Sequence, residues 1–162
     1  MEIKQVSVFK TMRHIEAVRN HLNTVIKELL LRGEKHDQSK LQTPEVEIFD
    51  QYTQELRGLT YGSPEYKKSM KKLKPAIDHH NAHNRHHPEH HANGIKDMTL
   101  IDLLEMLCDW KASSMRQNNG NILKSIELNK ARFKYSKELQ HILENTAKWF
   151  DTQQTFHHTE ES

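Results

Sequence analysis

The chain has a single cysteine, no long apolar run and almost no excess charge of either sign. The lone thiol, Cys108, excludes an intramolecular disulfide and any cysteine-only zinc site; on a leucine-rich segment it reads most simply as a small core residue. The N-terminal stretch MEIKQVSVFK has no apolar core of signal-peptide length, and no later run could span a bilayer. The expectation is a cytoplasmic protein in a reducing environment with no membrane partner. With 24 basic against 22 acidic residues, whole-chain electrostatics argues against strong nucleic-acid binding. Apolar residues make up only 35%, so many helix faces must be solvated, yet 162 residues suffice for one domain with one core. No stretch alternates apolar and polar residues as a half-buried strand would.

What is present is helical periodicity. From about Val8 to Leu31, Met12, Ile15, Val18, Leu22, Val25, Ile26, Leu29 and Leu30 recur at helical spacing, with Gly33 where a helix would stop and His14 and His21 at the margin of the apolar face. The stretch EKHDQSKLQ predicts a short helical segment. Thr43-Pro44 reads as a cap with proline at the first helical position, opening a helix that ends near Gly58. Ser63-Pro64-Glu65 repeats the start signal, and Pro75 predicts a kink before the histidines. The lysines from Lys67 to Lys74 read as a solvated face. Thr99 and Asp102 form a capping-box pattern ahead of LIDLLEMLCDWKASSMRQ, whose expected apolar side is Leu100, Leu103, Leu104, Leu107, Trp110 and Met115. Ile122 to Phe150 predicts one or two further helices, anchored by Ile126, Phe133, Leu139, Ile142, Leu143, Trp149 and Phe150. The expectation is an all-α bundle of about six to seven helices in a single domain over residues 1–150, followed by a polar, mobile tail over 151–162 that includes His157 and His158.

The chemistry concentrates in AIDHHNAHNRHHPEHH, Ala76 to His91, which holds seven of the thirteen histidines. Neutral imidazole is a common metal ligand. At most three or four can serve one ordinary site, so several of the seven must do something else. Spacing alone allows more than one choice, because His79 with His83 and His86 with His90 are both four apart. Upstream lies the adjacent pair His36-Asp37, and downstream Asp109, which competes with Glu105 one helical turn earlier. Glu89 reads as a residue that orients a ligand histidine, as a base, or equally as an exposed loop acid.

The order His14, His36-Asp37, histidine cluster, Asp109 resembles the HD-domain superfamily of metal-dependent phosphohydrolases over roughly Met12 to Ser114. HDQSK is similar to the His-Asp-x-Gly-Lys element of the HD-GYP branch, with Ser39 in place of glycine, and HHPE followed by HH is similar to that branch's His-His-Glu portion. No Asp-Gly-x-Gly-Tyr-Pro follows, so cyclic-dinucleotide cleavage does not carry over. RHIEAV, HDQSK, NRHHPEHH and DLLEMLCDWKA together look closer still to an uncharacterised family of small HD-like proteins common in phages and bacteria.

The resemblance implies an HD-like helical fold and a metal ligand set of His14, His36, Asp37 and Asp109. It also implies a second ion on His80 and His87, with His86 a near-equal substitute for His87. Asp37 and Lys40 would be catalytic. Lys40, Arg85, His83 and His90 would meet the substrate, Arg85 as a bidentate phosphate clamp. One or two divalent ions, with Mn, Co, Mg, Zn, Ni and Fe undistinguished, would hydrolyse a nucleotide or related phosphate ester through activated water. The alternative is a non-catalytic HD-like module that binds a metal ion or a nucleotide for regulation or sequestration. The partner expected is a small phosphate or nucleotide, with homo-oligomerisation left open.

Overall fold

In a computed structural model that describes residues 2–57, 63–116 and 120–159, every regular element is helical. The order is α1 (Glu2–Lys35), α2 (Glu45–Arg57), α3 (Pro64–His83), α4 (Leu100–Met115), α5 (Ile122–Phe133) and α6 (Lys137–Thr159), with short 3-10 turns at Gln38–Leu41, Pro88–His90 and Gly94–Asp97. The all-α expectation holds. No helix among the described residues is long and apolar enough to cross a membrane. By its internal contacts the chain forms two compact units, Met1–His36 and Asp37–Ser162.

The first unit is α1. It runs past both predicted ends: Gly33 lies inside it, and the left-handed residue that follows is Asp37, with φ 57° and ψ 11°. Asp tolerates this conformation because its short polar side chain can bond locally. Of the apolar stripe expected along it, Met12, Ile15, Val18, Leu22, Val25, Ile26 and Leu30 are exposed and Leu29 is half-buried, and His14 is exposed.

The second unit contains the hydrophobic core found among the described residues. Met106 and Leu107 of α4, Ile122 and Ile126 of α5, and Leu143 and Ala147 of α6 are buried against one another, with Tyr135 closing the α5–α6 corner. Each large side chain removed from water there contributes roughly 1.5–3 kcal/mol. The Tyr135 hydroxyl donates to the Ile126 carbonyl, so its polar end is satisfied, and burial pushes its pKa up to about 12. The predicted anchors Ile126 and Leu143 are buried. Leu100 and Met115 at the two ends of α4, and Ile142 and Trp149 of α6, are exposed instead, because α4 and α6 bury narrower arcs than their apolar composition suggests. Cys108 is likewise exposed, not core.

Local signals set most of the helix starts. The Thr99 hydroxyl accepts from Asp102 N at 3.2 Å while Asp102 Oδ2 accepts from Thr99 N at 2.8 Å, the reciprocal capping box that opens α4. Helix α3 begins at Pro64 as expected and continues through Pro75 as one helix, with no restart there. Pro75 and Lys71 are both exposed, so the carbonyl deprived of its donor faces water. Pro44 follows a cis peptide bond and precedes the first turn of α2, which starts at Glu45. The expected stop at Gly58 lies outside the described residues, although α2 ends at Arg57. Helix α6 extends through Thr159, into the segment expected to be a tail; the side chains of His157 and His158 are outside the described set.

Candidate metal centre

The second unit gathers one oxygen and three nitrogens into a small buried volume. One ligand atom from each of Asp37, His80, His86 and His87 lies within 4.8 Å of the other three. Asp37 Oδ1 is 3.1 Å from His80 Nε2 and 3.5 Å from His86 Nε2. His80 and His86 are buried and His87 is half-buried. The Nε2 atoms of His80 and His87 are buried with no hydrogen-bond partner. A buried imidazole nitrogen left unsatisfied is costly unless something else engages its lone pair. A divalent cation fits this donor set: neutral imidazole nitrogens and an ionised carboxylate are the ligand types such ions take.

Local structure explains the convergence. Asp37 projects from the left-handed turn that opens the Gln38–Leu41 segment, and its Oδ2 accepts from Lys40 Nζ at 2.5 Å, which orients the carboxylate. His80 sits in the last turn of α3. His86 and His87 follow the end of that helix in a turn fastened to α4 by Arg85, which donates from Nε and Nη2 to the two oxygens of buried Asp102, both at 3.2 Å. Arg85 thus grips the α4 cap, and the two histidines beside it are set against that helix.

Hydrogen bonding settles which nitrogen of His80 carries the proton. Fully buried Glu45 places Oε2 2.9 Å from His80 Nδ1 and Oε1 2.7 Å from His79 Nδ1. Ser39 Oγ donates to Glu45 Oε2 and accepts from Asn84 Nδ2, which also donates to the His80 carbonyl. With both Asn84 protons and the Ser39 proton so used, the remaining assignment is His80 Nδ1–H donating to Glu45, which leaves the Nε2 lone pair facing Asp37. Burial raises the Glu45 carboxyl, but hydrogen bonds from His79, Ser39 and His80, with the attraction of His80, bring it below the usual carboxylate range. His86 repeats the pattern: its Nδ1 lies 3.1 Å from Glu105 Oε1. His87 is pushed down to about 3 by burial, and then by repulsion from His86 and His80, against the opposing pull of Asp109 and Asp37. It is therefore a neutral imidazole at ordinary pH.

Of the residues expected from sequence, the structure brings together Asp37, His80, His87 and Asp109, an Asp109 oxygen lying within 4.8 Å of one from Asp37. His86 joins the same group as His87, so the two are companions, not substitutes. His36 ends the first unit and is peptide-bonded to Asp37, and His14 stands exposed along α1. The other expected substrate contacts have protein partners. Arg85 is engaged by Asp102, Lys40 by Asp37, His83 Nδ1 by the His79 carbonyl and His90 Nδ1 by the Ala82 carbonyl. Glu89 pairs with Arg132 at 2.5 Å. Glu105, weighed against Asp109 as a ligand, instead holds His86. Sequence reasoning missed Glu45 altogether: nothing in its spacing ties the first turn of α2 to the end of α3. Ser39, a departure from the motif it resembles, proves to be the hydroxyl bridge between Glu45 and Asn84.

A cavity of about 460 Å³ lies off the cluster, between α4 and α5, lined by Trp110, Ser113, Asn121, Lys124 and Asn129 among others. Its link to the cluster is Ser113, whose hydroxyl is 3.5 Å from Asp109 Oδ1.

Residues 4–154 match DUF5662, a family of unknown function, and the chain belongs to that family. Comparison with curated proteins and with solved structures finds no match.

Proposed function

We propose that Asp37, His80, His86 and His87 bind a divalent metal ion and that the protein is a metal-dependent phosphohydrolase acting on a nucleotide or related phosphate ester. The observation that carries this reading is the convergence of one nitrogen from each of three histidines beside Asp37, with two of the rings backed at Nδ1 by Glu45 and Glu105. Asp109, close to Asp37, is the natural carboxylate for a second ion. Three imidazoles with one carboxylate suit Zn, Fe, Co, Ni or Mn better than Mg, which favours all-oxygen coordination. Such an ion supplies Lewis acidity and a more acidic water. The chain's own residues hold the donors in place: Lys40 orients Asp37, Glu45 and Glu105 orient His80 and His86, and Arg85 fixes the turn that carries His86 and His87. The resemblance of the His36-Asp37 pair and its companions to HD phosphohydrolases supports hydrolysis as the chemistry.

One observation favours a second reading, a non-catalytic module that binds metal or a phosphorylated ligand. Both cations expected to meet a phosphate, Lys40 and Arg85, are engaged by protein carboxylates. The two readings separate in one experiment. Metal-free protein is reloaded with Mn, Co, Ni, Zn or Mg and assayed for phosphate release against a nucleotide panel. Metal-dependent turnover that disappears in Asp37→Ala is the result expected. Metal bound tightly without product supports the binding module, and failure to bind any of the ions defeats both.

A further inference from the structure

The cavity between α4 and α5 lies wholly within the second unit, and its lining has a one-sided chemistry. It carries Lys124, three serines and two asparagines, but no aspartate or glutamate among the described residues. Nothing there can neutralise a bound cation, whereas Lys124 can neutralise a bound anion. The first turn of α5 has the same sign: it contains no acidic residue, and its main-chain amides place partial positive charge at Asn121.

Hydrogen-bond accounting shows that the lining keeps donors in reserve. Asn121 caps α5, its Oδ1 accepting from Lys124 N at 3.1 Å and its carbonyl from the Ser125 hydroxyl at 3.2 Å. Its acceptors are thus used while its side-chain N–H groups are not. Among the described residues the Lys124 ammonium has no carboxylate partner, and the Trp110 indole N–H and the Asn129 amide have no hydrogen-bond partner. Trp110 also supplies a flat apolar surface, set parallel to Phe133 with ring centroids 6.3 Å apart, and Leu128 adds a second apolar contact.

We propose that this cavity binds a small phosphate monoester. Lys124 and the Asn121 end of α5 hold the phosphate, and Trp110, Leu128 and Asn129 hold the organic part. A phosphate brings three strong acceptor oxygens to a lining with donors to spare, one more than a carboxylate brings. The volume, about 460 Å³, falls in the range of small-molecule sites. Ser113 joins the cavity to Asp109, but the anion site rests on its own lining and requires no metal ion.

The test is a titration of the full chain, held metal-free with chelator, with adenosine monophosphate, followed at the indole N–H resonance of Trp110. Trp149 is the other tryptophan, so Trp149→Phe assigns the signal. The Trp110 resonance should move saturably at millimolar nucleotide or below, and adenosine, which lacks the phosphate, should bind at least about 10-fold more weakly. Lys124→Gln should lower the affinity for adenosine monophosphate about 10-fold or more. Lys137→Gln, which removes the same charge from the start of α6, should leave it unchanged. Both lysines are exposed, and an otherwise unaltered amide spectrum shows that each variant is folded. A Trp110 signal that does not respond overturns the proposal. So does adenosine binding as tightly as its phosphate, or Lys124→Gln binding as the parent chain does. Because no ion is present, failure here is distinct from failure of the metal centre.

Discussion

Two sets of histidines share the segment from His79 to His91, and the chain uses them in opposite ways. His80 and His86 turn Nε2 inward toward Asp37, His87 brings a ring nitrogen to the same group, and carboxylates hold the Nδ1 atoms of the first two. His83, His90 and His91 spend a ring nitrogen on a main-chain carbonyl, at 2.7 Å to His79, 2.7 Å to Ala82 and 2.9 Å to Arg85. The first set is organised around a point where donors accumulate, and the second fastens the end of α3 and the turn after it. His79 belongs to neither: it stacks on His83 with ring centroids 3.9 Å apart and donates to Glu45, joining the two groups. Residue type does not distinguish the sets. What distinguishes them is whether a ring nitrogen joins the group around Asp37 or is spent on a main-chain carbonyl.

The sharpest way to break this comparison is to remove one member of each set. His80→Ala deletes a donor with no substitute nearby, and the affinity for Zn or Mn should fall by more than about 100-fold, beyond the range seen when only a supporting residue is lost. His83→Ala should leave metal affinity and stoichiometry unchanged. Elemental analysis and titration calorimetry on the two variants read this directly. Equal losses would mean that the inward and outward rings are not separate in function.

A smaller effect is expected one bond further out. Glu45→Gln keeps the shape of the side chain but replaces the carboxylate that receives protons from His79 and His80. The amide can still accept from one ring, but it no longer offsets the charge that an imidazole gains on coordination. Metal affinity should fall about 10- to 100-fold, the usual cost of losing a carboxylate behind a ligand histidine. An unchanged affinity would reduce Glu45 to a packing residue and remove the reason for assigning the His80 tautomer a role.

These contrasts also show which parts of the structure were legible in the sequence. Local signals were readable. The Thr99–Asp102 capping box, the Ser63-Pro64 start and the helical spacing of apolar residues in α1 each depend on residues within a turn or two of one another. So did the proximity of Asp37 and Asp109 to the histidines, through the resemblance of the ordered motif. The choice among the seven histidines was not readable, because the partner that orients His80 is 35 positions away in another helix. Of the four-residue spacings, His79 with His83 does make a stacked pair within α3, whereas His86 and His90 lie beyond the end of α3 at His83 and belong to different sets. The Arg85–Asp102 pair was not readable for a related reason: a guanidinium suited to phosphate is equally suited to a buried carboxylate, and nothing in sequence links the two. The face of α1 was visible as apolar.

The smallest expected effect tests the outward set by itself. Ala82 lies in the last turn of α3, where a carbonyl has no amide four residues further along the same helix to bond, and His90 supplies the missing donor from across the turn. A bond of this kind contributes about 0.5–1.5 kcal/mol net, so His90→Ala should lower the melting temperature by a few degrees at most in a domain of this size. Its bound metal should be retained. The opposite pattern, normal stability with metal lost, would move His90 into the inward group. It would also mean that the turn from Pro88 to His91 is held open by the ion and not by its own hydrogen bonds, which would leave the distinction between the two sets dependent on coordination alone.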